Sequence, residues 1–121
     1  MTLSYKKQRT FQDRKRESEN ILKKYPDRIP IICEKASSAT SNIEQMKKCK
    51  FLVPHDLTMG QFMYIIRRRI QISSETGLFL FINNTLPPTH QILIDIYNKH
   101  KSEDGFLYIT YSGEQTFGGK M

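Results

Sequence analysis

The chain lacks most of the parts that membrane-spanning proteins and enzymes carry. None of its 121 residues falls in an apolar run approaching the roughly 20 residues needed to cross a bilayer. The opening Met1-Thr-Leu-Ser-Tyr-Lys-Lys7 has no signal-peptide apolar core and no glycine at position 2 for myristoylation. Any membrane attachment is therefore expected to be acquired. No glycine-rich phosphate loop is present. Cysteine is scarce, with only Cys33 and Cys49; neither has a histidine at metal-ligand spacing or a base at a recognisable spacing. Both are expected to be free thiols in a reducing cytosol. His55, His90 and His100 are scattered. These absences predict a protein that is not an enzyme and that uses neither metal nor cofactor. Acid is the scarcer charge, with 12 Asp and Glu against 19 Lys and Arg and a net charge of +7.

The basic excess is unevenly placed. Residues 1–28 hold nine Lys/Arg against four Asp/Glu; Lys47, Lys48 and Lys50 form a second cluster, and Arg67-Arg68-Arg69 a third. Such a surface favours acidic partners without choosing among peptides, lipid headgroups, nucleic acid or acidic protein tails. With 38% hydrophobic residues, the length suits one domain that buries roughly two-thirds of its unfolded surface.

Pattern predicts eight elements. Leu3 to Gln8 reads as a half-formed helix. Thr10 caps a mostly charged helix over 10–24, anchored by Phe11, Ile21 and Leu22 and stopped by Pro26. Arg28 to Glu34 is a strand with Ile29, Ile31 and Cys33 on one face. Pro30 has no N–H to donate, so part of one edge of this strand is expected to be unpaired. A polar connection over 36–46 leads to a short strand, Lys50 to Val53, closed by Pro54. Asp56 or Thr58 caps a helix through Ile70, whose apolar face carries Phe62, Ile65, Ile66 and Ile70. Leu78 to Ile82 is a buried strand, and Thr89 is expected to cap a helix over about 90–99. The order helix, helix, β, β, α, β, α, β is that of a β-grasp (α+β, ubiquitin-like) with a helical extension in front; order alone also permits a ferredoxin-like arrangement. The expected division is a helical extension over 1–25, a core over 26–112 and a tail over 113–121.

The last stretch is the most informative. Phe106, Tyr108 and Thr110 alternate with Leu107, Ile109 and Tyr111, so both faces of this strand are apolar and it is expected to lie centrally in its sheet. It runs into Ser112-Gly-Glu-Gln-Thr-Phe-Gly118, which offers too little apolar surface to offset the entropy of ordering it. A glycine-ended tail can thread a narrow active site and present its carbonyl unobstructed; the plain alternative is a frayed terminus.

Five segments in order, Lys24-Tyr-Pro-Asp-Arg-Ile-Pro30, Lys50-Phe-Leu-Val-Pro54, Ile65-Ile-Arg-Arg-Arg69, Phe81-Ile-Asn-Asn84 with Pro87-Pro88, and Glu103-Asp-Gly-Phe-Leu-Tyr108, resemble the autophagy-related ubiquitin-like modifiers. That family includes light chain 3 of the microtubule-associated proteins and the GABA-receptor-associated protein. The resemblance implies that a cysteine protease trims the tail after Gly118, which follows Phe117, with Gly119 making the scissile bond ambiguous by one residue. It implies that activating and conjugating enzymes pass this glycine to phosphatidylethanolamine. The chain would then be cytoplasmic until lipidation places it on autophagosomal membranes.

The resemblance also implies binding of aromatic-x-x-aliphatic motif peptides from cargo receptors and adaptors, by strand addition at Lys50 to Val53. By position, the aromatic pocket would be lined by Glu17, Ile21, Pro30, Ile32, Lys50, Leu52 and Phe106. The aliphatic pocket would be lined by Phe51, Val53, Pro54, Leu57, Phe62, Ile65 and Ile66. Arg69 would border the second pocket, and Arg28 and Lys48 complete the set. By periodicity alone Val53, Phe62 and Ile65 read as core residues. A reading from another class makes the chain a soluble basic scaffold, binding tubulin's acidic tails or nucleic acid through residues 1–28.

Overall fold

The computed structural model describes residues 4–36, 43–73 and 75–113; Phe117, Gly118 and Gly119 lie outside them. Eight elements follow in the predicted order: α1 Tyr5–Gln8, α2 Phe11–Lys24, β1 Arg28–Lys35, β2 Lys50–Pro54, α3 Met59–Arg69, β3 Phe79–Phe81, α4 Leu93–His100 and β4 Leu107–Ser112. Local chemistry sets several boundaries. The Thr10 hydroxyl accepts the Asp13 N–H at 3.1 Å and starts α2. Thr58 and Gln61 exchange bonds in a capping box at the head of α3. Asn83 and Asn84, with φ of 52° and 64°, form a two-residue turn closed by reciprocal Ile82 and Thr85 bonds of 2.9 and 3.0 Å.

The strand order is β2-β1-β4-β3. β1 runs antiparallel to β2 and parallel to β4, and β3 closes antiparallel onto β4. This is the β-grasp arrangement, and the direct parallel pairing of the first and last strands excludes the ferredoxin-like alternative. β4 is central, as its two apolar faces predicted.

Pro30 sits where it costs no ladder bond. Cys33 N–H donates to the Cys49 carbonyl at 2.8 Å, so by alternation Ile31 and Ile29 also face β2. Pro30 therefore points toward the β4 side, and that ladder begins only at Ile31.

The sheet is covered on both sides. Ile29, Ile31 and Cys33 of β1, Phe51 and Val53 of β2 and Leu107, Ile109 and Tyr111 of β4 pack against Met59, Phe62 and Ile66 of α3 and Leu93, Ile96 and Tyr97 of α4. On the opposite face a small cluster of Tyr5, Ile32 and Phe106 lies under α1 and α2, with Ile21, Cys49 and Tyr108 at its margin. A polar knot fastens this second layer. Asp104, fully buried, accepts from Arg14 and from the Tyr108 hydroxyl at 2.5 Å each, and its carbonyl takes the Ser18 hydroxyl at 2.5 Å. Gly105, at φ +93°, passes so close to Ser18 that a Cβ would collide with its hydroxyl.

One expectation fails. Thr89 caps no helix: α4 begins at Leu93 with Ile92 in the capping position and no side-chain cap bond. The preceding segment instead gives its backbone to the start of α3, through Gly60 N–H to Thr89 O and Met59 N–H to Gln91 O, both 2.9 Å.

Candidate functional site

β2 is an edge strand, and the same alternation that places Pro30 defines what it offers outward. Cys49, Phe51 and Val53 turn their backbone groups to β1; Lys50 and Leu52 turn theirs away. The sheet has no strand beyond β2 among the described residues. Only the Arg28 guanidinium reaches this border among the described contacts, donating to the Leu52 carbonyl at 3.4 Å.

The side chains of β2 divide by face. Leu52 lies opposite Pro30, and Lys50 opposite Ile32, so both stand on the α2 side. Pro30, Ile32 and Phe106 are buried there and form a floor, while Glu17, Ile21, Lys50 and Leu52 are half-buried around it. A cleft of about 380 Å³ along α2 takes in Glu17 and Ile21 together with Arg9, Arg16 and Tyr25; Lys50, Leu52 and Phe106 do not line it. Glu17 is the hub, ion-paired to Lys50, lying 3.7 Å from Arg9 and accepting the Tyr5 hydroxyl.

Tyr5 is the residue that sequence reasoning missed. Its ring meets Phe106 edge-on at 5.5 Å, its N–H donates to Glu34 at 2.8 Å, and burial raises its hydroxyl pKa. A four-residue helix is too short for periodicity to expose a buried face.

On the other face Phe51, Val53, Phe62 and Ile66 are core residues; periodicity predicted this for Val53 and Phe62 but also for Ile65, which packs only at the margin of the core. Leu57 and Ile65 are half-buried and Pro54 exposed. Leu57 and Ile65 line a cleft of about 520 Å³ with Thr58, Gly60, Gln61, Tyr64 and Thr89. The Arg69 guanidinium stands 5.4 Å over the Phe51 ring, on the same face as this cleft but outside its lining. Lys48 and Arg69 share a third cleft, about 390 Å³, with Lys47 and Met46. Arg67 turns away to the Ser73 and Thr76 carbonyls at 2.8 and 2.6 Å, and Arg68 stacks on Tyr64 at 5.8 Å.

Neither thiol is activated. Burial pushes Cys33 well above its ordinary pKa and raises half-buried Cys49 as well, with Glu34 adding to both; such sulfurs stay protonated and unreactive at neutral pH. Among the described residues no three His, Cys, Asp or Glu side chains are placed to hold a metal, and no helix is long and apolar enough to cross a membrane.

Comparisons with known proteins agree with this fold. A sequence profile described as "Autophagy protein Atg8 ubiquitin like" matches residues 13–118. The chain is 56% identical over 118 residues to autophagy-related protein 8 of Schizosaccharomyces pombe, covering 98% of this chain and 96% of that protein. It is 54% identical over 119 residues to the protein of that name from Colletotrichum lindemuthianum, covering 98% and 97%. The crystal structure of Trypanosoma brucei ATG8 superposes with a TM-score of 0.87 at 46% identity, covering 98% of this chain and all of that one. The basic-scaffold reading finds no support in these likenesses. A β-grasp sheet behind two helices, matched over nearly its whole length, thus belongs to the Atg8 family of ubiquitin-like autophagy proteins.

Proposed function

We propose that this autophagy modifier is trimmed after Gly118, joined through that glycine to phosphatidylethanolamine, and used on autophagosomal membranes to recruit proteins bearing aromatic-x-x-aliphatic motifs. One observation supports the recruiting half: among the described residues the outer border of β2 has no paired strand, half-buried Ile21 and Leu52 stand on its α2 side, and half-buried Leu57 and Ile65 line a cleft on its α3 side. A peptide that adds a strand there bonds to the outward groups of Lys50 and Leu52, and its alternate side chains drop to opposite faces. Residues i and i+3 of an extended peptide lie on opposite faces, which is the spacing the two sides need.

Burying an aromatic anchor of about 150–250 Å² contributes roughly 4–6 kcal/mol gross, and association and ordering costs remove much of it. Affinity is expected near micromolar. Acidic residues flanking the motif would face Lys48, Lys50 and Arg69, so binding weakens with salt. Calorimetry with an acidic Trp-x-x-Leu peptide tests this. Leu52→Glu should abolish binding and Arg69→Ala should weaken it; wild-type heat that neither change alters removes the site.

The conjugating half rests on family membership and on a tail in which an aromatic precedes glycine. Two acyl chains hold a protein of this kind on a bilayer where one would not. Its protease and its activating and conjugating enzymes act on the tail from outside, so catalysis belongs to them. Gly118→Ala should leave the chain cytoplasmic in fractionated cells. Mass spectrometry of the trimmed product decides the bond, and an end at Gly119 moves the site by one residue.

A further inference from the structure

We propose that the end of the molecule from which the tail departs is a docking face for an anionic lipid surface, engaged once the tail is anchored; this rests on the conjugation reading above. Three chains of contact bring separate basic segments to that end. Arg67 holds the Ser73 and Thr76 carbonyls, and a Cβ on the next residue, Gly77, would lie 3.2 Å from the Gly113 carbonyl, the last described residue before the tail. The final turn of α3 with Arg67, Arg68 and Arg69 is thereby placed beside the exit. Lys35 pairs in register with Tyr111. The Tyr111 hydroxyl donates to the Glu44 carbonyl at 2.7 Å and lies 3.0 Å from the Met46 N–H, which brings Lys47 and Lys48 alongside.

The segments that meet there carry six cations, Lys35, Lys47, Lys48, Arg67, Arg68 and Arg69, opposed by Glu34, Glu44 and Glu75. Glu34 is engaged by the Tyr5 N–H, and none of the six cations forms an ion pair with a carboxylate among the described residues.

Tether length makes the partner a membrane. Four residues, Glu114 to Phe117, separate the described body from the conjugated glycine, and the five steps from Gly113 to Gly118 span at most about 18 Å even fully extended. The exit end is held close to the headgroups, where each Lys or Arg near an anionic surface adds roughly 1 kcal/mol, or about fivefold in partitioning. The basic face of α1 and α2 lies across the sheet and has no such constraint.

The experiment uses the chain ended at Gly118 and followed by hexahistidine, bound to nickel-chelating vesicles of phosphatidylcholine with or without phosphatidylglycerol, neither of which carries a primary amine. Lysines are labelled with an amine-reactive reagent and read by mass spectrometry. Modification of Lys35, Lys47 and Lys48 is expected to slow about fivefold on the anionic vesicles, with Lys23, Lys24 and Lys101 unchanged. Lys47→Glu combined with Arg68→Glu, both at exposed positions, should erase the protection of Lys35 and Lys48. Equal labelling on both vesicles, which would leave these cations to an acidic protein partner, overturns the proposal; so does protection confined to Lys6, Lys15, Lys23 and Lys24. Because the tag supplies the anchor, this result stands apart from Gly118→Ala, which alone tests conjugation.

Discussion

The two faces of one sheet are covered by different physics. Under α3 and α4 lies a continuous apolar core in which Phe62, Ile66, Ile31 and Leu93 are fully buried. Under α1 and α2, among the described residues, the buried apolar cluster is Tyr5, Ile32 and Phe106, and the helices are fastened by Arg14–Asp104–Tyr108, Ser18–Asp104 and Tyr5–Glu17–Lys50. Area burial is indifferent to small shifts, whereas charged and hydrogen-bonded ties depend on geometry. A layer held by such ties can leave half-buried apolar side chains such as Ile21 and Leu52 at its margin, where the proposed peptide cleft lies. The comparison teaches that the thick core makes the fold, and that the thinner layer, tied by polar contacts, leaves Ile21 and Leu52 half-buried at its edge.

The largest effect that could break this contrast is in the core. Phe62→Ala is expected to cost about 3–5 kcal/mol in denaturant unfolding; a loss near that of a surface change would mean the α3 face is not the main source of stability. Asp104→Ala should cost about 3 kcal/mol, since it strands Arg14 and the Tyr108 hydroxyl in a half-buried site. Asp104→Asn should recover part of this, and an unchanged midpoint would show that the knot does not fasten α2. Tyr5→Ala is expected to cost only about 1–2 kcal/mol, while exposing α1 to faster amide exchange with α3 unaffected. Removing the cap with Thr58→Ala should cost about 1 kcal/mol.

Alkali sharpens the contrast further. The Tyr111 hydroxyl is pushed up to about 12, first by burial, and Tyr108 is raised further, by burial and then by its bond to Asp104. Both stay neutral in the folded chain while an unfolded tyrosine ionises near pH 10. Their stability is therefore complete below about pH 10 and declines as pH rises through about 12. Tyr108→Phe should flatten part of that decline in a stability-versus-pH series; an unchanged slope would show that Tyr108 ionisation does not contribute.

Much of the architecture was legible because it repeats at short range. The 3.6 spacing of Phe62, Ile65, Ile66 and Ile70 gave α3 and its inward face, and the alternation from Phe106 to Tyr111 gave a central strand. The Thr89 cap was misread because a threonine before a helical stretch looks the same whether its backbone is free or already committed to Gly60. The candidate site was legible chiefly through resemblance. Pro30 marked an unpaired stretch on β1, but which strand would be the outer one depended on the closure of β1 onto β4.

By itself, then, the sequence determined which segments become helix or strand, which side chains face the core, and the family to which the chain belongs. Those properties reside in spacings of two to four residues and in short ordered motifs. Only the tertiary structure decided that Lys50 and Leu52 turn their backbone outward, that Tyr5 roofs Phe106, that Asp104 pairs with Arg14, and that the segments bearing Lys35, Lys47 and Arg67 meet near Gly113. Each of these joins residues far apart in the chain, and such pairings are set by how the sheet closes, which no local pattern encodes.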